Sequence, residues 1–170
     1  MVKSATLRRI VVGLSFLSVT VVSCITQNTF GVPDLVRCSA QTTASMLFFT
    51  SVALMASIHR KYPSKHDRPE DIGELYCEGP YALCRHPLYL LMVLAQVSIP
   101  LFMVSLWGFV TWVLFLPGWV LFIKIEEKEL IEYWGEKYIN YMKKTPMLIP
   151  FPRIFKSSSS SRSCLLYRIK

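Results

Sequence analysis

Arg85 and His86 stand side by side between two prolines, in Gly79-Pro80-Tyr81-Ala82-Leu83-Cys84-Arg85-His86-Pro87-Leu88-Tyr89. The prolines fix backbone angles and remove two amide donors, so the turn that presents this pair is stiff. A fixed cationic pair at the mouth of an apolar run can hold a carboxylate. Anchoring a lipid headgroup is the plainer use of the same residues. A second pair, Glu126-Glu127, follows later in the chain. Neighbouring helical residues point about 100° apart, so the two glutamates cannot share a direction. On a helical wheel Glu127 falls inside the apolar arc of Leu130, Ile131, Trp134, Tyr138, Tyr141 and Met142, with Glu126 at its edge. A carboxylate turned toward aromatic rings is costly unless it meets a cation or a donor. Lys124, Lys128, Arg85 and His86 are the available partners, and a pair of this kind can also serve only to seal a helix bundle.

Four apolar runs must position these residues: 10–25, 43–58, 88–107 and 108–125. A chain of 170 residues that is 52% hydrophobic, with mean hydropathy +0.38, is too apolar for an ordinary soluble fold. The last two runs approach the roughly 20 residues that cross a hydrocarbon core, and the first two need their flanks to do so. The expected fold is all-α, a multi-pass transmembrane bundle of about four spans with a C-terminal amphipathic helix at the interface. Net charge is +8, and the placement of the charge argues for topology rather than nucleic acid. Of the 19 lysines and arginines only Arg37 lies between the first and second runs, and none separates the third from the fourth. The positive-inside rule then puts both termini in the cytoplasm. Five cysteines, odd in number and irregularly spaced, imply no disulfide framework, and no Cys/His pair has zinc spacing.

Residues 1–24 have the outline of a signal peptide, and Val21-Val22-Ser23-Cys24 resembles a lipoprotein cleavage site. Keeping both basic regions on one side requires an even number of crossings, which favours a retained first helix. Residues 27–41 read as a short outer loop. The small residues of the second run (Ala44, Ser45, Ser51, Ala53, Ala56, Ser57) suit a helix inside the bundle. Residues 59–78 form a charge-mixed cytosolic connector, longer than a tether needs. Pro100 and Gly108 bracket the outer turn of a hairpin, and Pro117-Gly118 is expected to kink or break its second arm. From Glu126 to Lys144 the pattern is that of one amphipathic helix at the cytosolic interface, ended by Pro146, Pro150 and Pro152. The division expected is an integral membrane domain over 1–156 and a Ser-rich basic tail over 157–170.

Taken together the two charged stretches resemble the isoprenylcysteine carboxyl methyltransferase family. The matching residues are Gly79, Tyr81, Arg85-His86-Pro87-Leu88-Tyr89, Glu126-Glu127, Leu130, Trp134-Gly135, Tyr138, Tyr141, Pro146 and Pro150. The resemblance covers roughly 73–152, the expected cofactor-binding core, and implies S-adenosylmethionine as methyl donor. Carried over residue by residue, the cofactor contacts are Gly73, Glu74, Leu75, Tyr76, Tyr81, His86, Pro87, Leu88, Tyr89 and Glu126. Arg85 and Glu127 are the catalytic candidates, and no metal is implied. His86 would take the cofactor's carboxylate and Glu126 its ammonium or ribose, with Tyr81 and Tyr89 walling the adenine. Where the family usually carries a substrate-contacting arginine this chain has Phe122, with Lys124 the nearest cation. The acceptor implied is lipophilic, reached from the bilayer, and foremost a prenylated cysteine carboxylate, which needs no general base. A phospholipid or small lipophilic amine or thiol is the alternative, and an amine would make Glu127 the candidate base. A membrane scaffold without chemistry is the reading of another class. Membrane lipids are the other expected partners, and the membrane is the endoplasmic reticulum if the source is eukaryotic.

Overall fold

The computed structural model describes residues 2–28, 31–62 and 75–149. Its elements are α1 (Val2–Ile25), α2 (Asp34–Lys61), α3 (Pro80–Leu83), α4 (Pro87–Met103), α5 (Leu106–Trp134) and α6 (Glu136–Lys144), with no strand among the described residues. The connector positions 63–74 and the tail from 150 onward lie outside the described residues.

Helix α4 is the hub, packing against α2, α1 and α5, while α1 also packs along α5. The helices alternate in direction. At one end, Asn28 N–H at the exit of α1 donates to Met103 O at the end of α4 (3.0 Å), and Thr26 Oγ1 lies 2.7 Å from Ser105 Oγ at the start of α5. At the other end the α2 terminus meets α3 and the start of α4. Helix α5 starts on an N-cap: Ser105 Oγ accepts from Gly108 N–H at 2.9 Å, which satisfies an otherwise orphaned donor.

The distribution of side chains is inverted relative to a water-soluble bundle. Serines 15, 23, 51, 98 and 105 and Gln96 are buried, whereas Ile10, Leu14, Leu17 and Val21 form an exposed stripe on α1. Phe48 and Phe49 on α2 are also exposed, as are Val113, Leu114 and Leu121 on α5. Large apolar side chains outside and small ones inside fit an apolar surrounding solvent, where close backbone approach rather than hydrophobic burial joins helices. Helices α2 and α5 are long and apolar enough to cross a membrane; Arg9–Ile25 and α4 are shorter apolar helices. Serine and threonine hydroxyls on α2 are absorbed locally, with Thr42, Thr43, Ser45 and Ser57 each donating to the carbonyl four residues back.

Several expectations are corrected. Helix α2 is peripheral, burying only the stripe Ala44, Ser51 and Ile58 against the rest of the bundle. It also starts at Asp34, inside the expected loop, because Pro33 precedes it and the acidic Asp34 in its first turn pairs with Arg37 at 2.6 Å. Of the kink or break expected at Pro117-Gly118, the break does not occur, and α5 runs unbroken to Trp134. The single amphipathic helix expected over 126–144 is two pieces, the end of α5 and α6. Gly135 divides them with φ 57°, ψ −131°, a conformation that only glycine adopts readily.

Gly108 marks the tightest approach of α1 to the α4–α5 turn. A Cβ there would overlap Ser23 Oγ and stand 2.9 Å from Pro100 Cβ, whereas a Cβ on Gly118 meets nothing within 4 Å. Gly108→Ala is therefore expected to lower stability by about 1–3 kcal/mol. Gly118→Ala should be neutral or stabilise by up to about 1 kcal/mol. Unfolding of the two detergent-solubilised variants beside the wild type checks the contrast.

Candidate functional site

The site is assembled around the α3–α4 turn. Gly79 (φ 59°, ψ −126°) starts the one-turn helix α3, Pro80 occupies its first position, and Cys84 is extended at its end. His86 is the N-cap residue of α4, whose first position is Pro87. Prolines suit these positions because the first helical amides have no partner within the helix. The consequence is that Arg85 and His86 sit on a short stretch held between two helices, as the proline spacing predicts.

Both side chains converge on Glu127 of α5. Arg85 Nε donates to Glu127 Oε1 at 2.7 Å, and His86 Nε2 lies 3.3 Å from the same oxygen. The side chains of Arg85, His86 and Glu127 are at most one-tenth exposed. Arg85 Nη1 donates further to the carbonyls of Met142 (3.0 Å) and Thr145 (2.6 Å), at the end of α6 and just beyond it. The backbone continues the clasp: Arg85 N–H donates to Pro146 O and His86 N–H to Met147 O, at 2.9 and 3.2 Å. Tyr141 Oη donates to Tyr81 O at 2.5 Å. One guanidinium thus joins the α3–α4 turn to α5 and to the chain after α6.

Beside this clasp lies an aromatic cluster. Tyr62, Tyr76 and Tyr81 stand with ring centroids 5.2, 5.4 and 6.0 Å apart. Burial, then the charge of the half-buried Glu126, pushes the Tyr81 phenol up to about 12. Tyr138 and Tyr141 in α6 are also held neutral, chiefly by burial. A second aromatic series runs inward from His86 to Tyr89 (5.7 Å) and from Tyr89 to Trp119 (5.9 Å), where Trp119 Nε1 donates to buried Gln96 Oε1 at 3.1 Å.

Of the residues singled out from the sequence, Tyr76, Tyr81, Arg85, His86, Tyr89, Glu126 and Glu127 come together at this end of the bundle. Pro87 is buried in the first turn of α4; Leu75, Leu88 and Tyr89 are half-buried. Gly73 and Glu74 lie outside the described residues. The two glutamates, Glu127 expected as catalytic and Glu126 as a cofactor contact, differ in their surroundings. Glu127 is buried against Arg85 and His86, while Glu126 is half-buried. Tyr62 was missed. Its only sequence signal is its place as the aromatic residue that closes the second apolar helix before a proline.

A buried ion pair costs several kcal/mol in desolvation, so removing one partner strands the other. Glu127→Ala is expected to destabilise the protein by about 3–5 kcal/mol. Replacing both members by apolar residues, Arg85→Met with Glu127→Leu, should restore part of that loss while abolishing function. Unfolding midpoints of the single and double variants test this. Equal stability of Glu127→Ala and wild type would contradict the clasp.

Comparison with known proteins places the chain in a family. The phospholipid methyltransferase family profile matches residues 39–137, from α2 through the first residues of α6. Over 73 residues the chain is 40% identical to a methanethiol S-methyltransferase of Crocosphaera subtropica, covering 42% of this chain and 27% of that protein. A methanethiol S-methyltransferase of Pseudomonas deceptionensis is 37% identical over 71 residues, 41% of this chain and 26% of the relative. The matched part is thus about a quarter of these relatives' length. With its matched region holding Arg85-His86, Glu126-Glu127 and the helices that position them, the chain belongs to the phospholipid methyltransferase family, whose members are isoprenylcysteine carboxyl methyltransferase-like.

Proposed function

We propose that the chain is an integral membrane methyltransferase that transfers a methyl group from S-adenosylmethionine to the sulfur of a small or lipophilic thiol. The observation that carries the choice of acceptor is the engagement of Arg85 by Glu127 and two carbonyls. The Arg85 side chain is one-tenth exposed, and no arginine or lysine is fully buried among the described residues. Phe122 lines an apolar crevice with Val11, Val12, Ser15, Phe115 and Trp119. An acceptor carboxylate, as in a prenylated cysteine, would find no uncommitted buried cation there. A thiol needs none. The methanethiol S-methyltransferases among the relatives favour the same acceptor chemistry.

The residues fit the donor. S-adenosylmethionine, when bound, supplies an electrophilic methyl group on a sulfonium. Tyr76 and Tyr81 offer aromatic faces, the half-buried Glu126 offers a carboxylate, and Leu75, Leu88 and Tyr89 supply apolar surface. Gly73 and Glu74 remain expected contacts by resemblance. Arg85 and Glu127 act by holding the site together and by orienting His86. The carboxylate partner at Nε2 selects the tautomer with its proton there, which leaves Nδ1 as an acceptor. The resemblance gives His86 contact with the donor's carboxylate, whereas this tautomer suits acceptance of a thiol proton. His86 Nδ1 would accept the acceptor's thiol proton, while the donor, when bound, would supply the methyl group. The remaining contribution is alignment and exclusion of water, worth up to about 7–11 kcal/mol in well-oriented systems.

The same reading gives four spans, α1, α2, α4 and α5, with both termini and the site on the cytoplasmic side. Arg60, Lys61, Lys124, Lys143 and Lys144 gather at the site end, and Arg37 stands at the other. Helix α6 lies at the interface, with Tyr138 and Tyr141 buried and Lys143 and Lys144 exposed.

The test is a product assay with methyl-labelled donor and purified protein in lipid. Methanethiol and longer alkanethiols are offered beside a farnesylcysteine carboxylate and an aminophospholipid. Label is expected in methyl thioethers, and His86→Ala should lower kcat by about 10²–10⁴-fold. Label in a carboxyl ester or a methylated amine, with none in thioether, would overturn the choice of acceptor. No transfer to any of them would leave the scaffold reading.

A further inference from the structure

Helix α2 ends inside the site rather than beside it. Tyr62 closes the helix, its N–H donating to Ile58 O at 2.8 Å, and its ring meets two others edge to face. The interplanar angles are 69° with Tyr76 and 75° with Tyr81, while those two rings are tilted by only 36° to each other. The position of Tyr62 is over-determined. A Cβ on residue 79 would stand 2.6 Å from the Tyr62 hydroxyl, so the positive-φ glycine that starts α3 also makes room for this ring. One face of the Tyr62 ring already takes a cation, with Lys61 Nζ 5.7 Å from its centroid. Three electron-rich rings thus cluster at the end of the bundle that carries the half-buried Glu126.

We propose that Tyr62, with Tyr76, Tyr81 and the Glu126 carboxylate, forms a cation-selective subsite that holds the sulfonium of the methyl donor in preference to the neutral thioether left after transfer. This rests on the donor assigned under the proposed function. Aromatic faces attract a cation through their quadrupole, and they give up that attraction when the charge is lost. The carboxylate adds a Coulomb contribution of the same sign. A subsite of this kind discriminates substrate from product by charge alone, because the two ligands differ by one methyl group and one positive charge. Tyr62 is then a specificity-determining residue contributed by the second helix, outside the Gly79–Tyr89 and Glu126–Glu127 motifs.

Equilibrium binding of S-adenosylmethionine and S-adenosylhomocysteine to the full-length protein in detergent tests this, with wild type beside Tyr62→Phe and Tyr62→Leu. Wild type and Tyr62→Phe should prefer the sulfonium similarly. Tyr62→Leu should lose roughly three- to thirty-fold in affinity for the sulfonium and stay within about twofold for the thioether. Should Tyr62→Leu fail to fold, ring-fluorinated phenylalanines at position 62 keep the shape and weaken the π face. Sulfonium affinity alone should then fall with successive fluorines. Equal losses for both ligands, or no loss for either, would overturn the subsite while leaving the donor assignment intact. Binding of neither ligand by folded wild type would instead overturn the donor assignment, and the subsite with it.

Discussion

A guanidinium and a carboxylate withdrawn from water together are stable only when their remaining donors and lone pairs are also satisfied. Arg85 and Glu127 meet that condition through the backbone. The same guanidinium that pairs with Glu127 bonds the carbonyls of Met142 and Thr145, and the amides next to it bond Pro146 and Met147. The α3–α4 turn, the lower part of α5 and the chain leaving α6 therefore form one unit. His86 is oriented by the same oxygen that receives Arg85. Removing the pair would release the orientation of the imidazole and the cover formed by α6 in one event.

The rest of the bundle follows from an apolar surrounding. In the membrane placement proposed above, large side chains on α1, α2 and α5 have no reason to turn inward, and helices join where small residues let backbones approach. Ala44 and Ser51 on α2, Ala95 and Ser98 on α4, and Gly108 on α5 occupy those approaches. Helix α4 touches every other long helix, so its first turn, with His86 and Pro87, is the most constrained point at the site end. Chemistry that depends on alignment gains most from placement there. The opposite end, tied by Thr26, Ser105 and Gly108, holds α1 against the hairpin.

The amino-acid pattern made the site more legible than the path of the chain. Arg85-His86 between prolines, and Glu127 inside an aromatic arc, pointed to partners across the fold because a charge among rings must be compensated. The division between Glu126 and Glu127 was open, since a wheel reports direction and not what lies opposite. Gly135 went unread as a breaker: glycine in a periodic pattern is often tolerated, and only the φ of 57° reveals that the helix ends there. The reverse happened at Pro117, where a lost amide donor left α5 unbroken. Composition misplaced α2 because its hydroxyls bond their own helix rather than a neighbour. Tyr62 was invisible because its partners, Tyr76 and Tyr81, become neighbours only through tertiary packing.

The central claim is that the end of the bundle holding Arg85, His86, Glu126 and Glu127 receives S-adenosylmethionine. The most direct measurement is calorimetric titration of the donor into detergent-purified wild type, Glu126→Ala and Lys128→Ala, each checked for folding. Lys128 is exposed and serves as the control. The account predicts one saturable site in wild type, unchanged by Lys128→Ala and lost or strongly weakened by Glu126→Ala. Absence of binding by folded wild type, or full binding by Glu126→Ala, would contradict it.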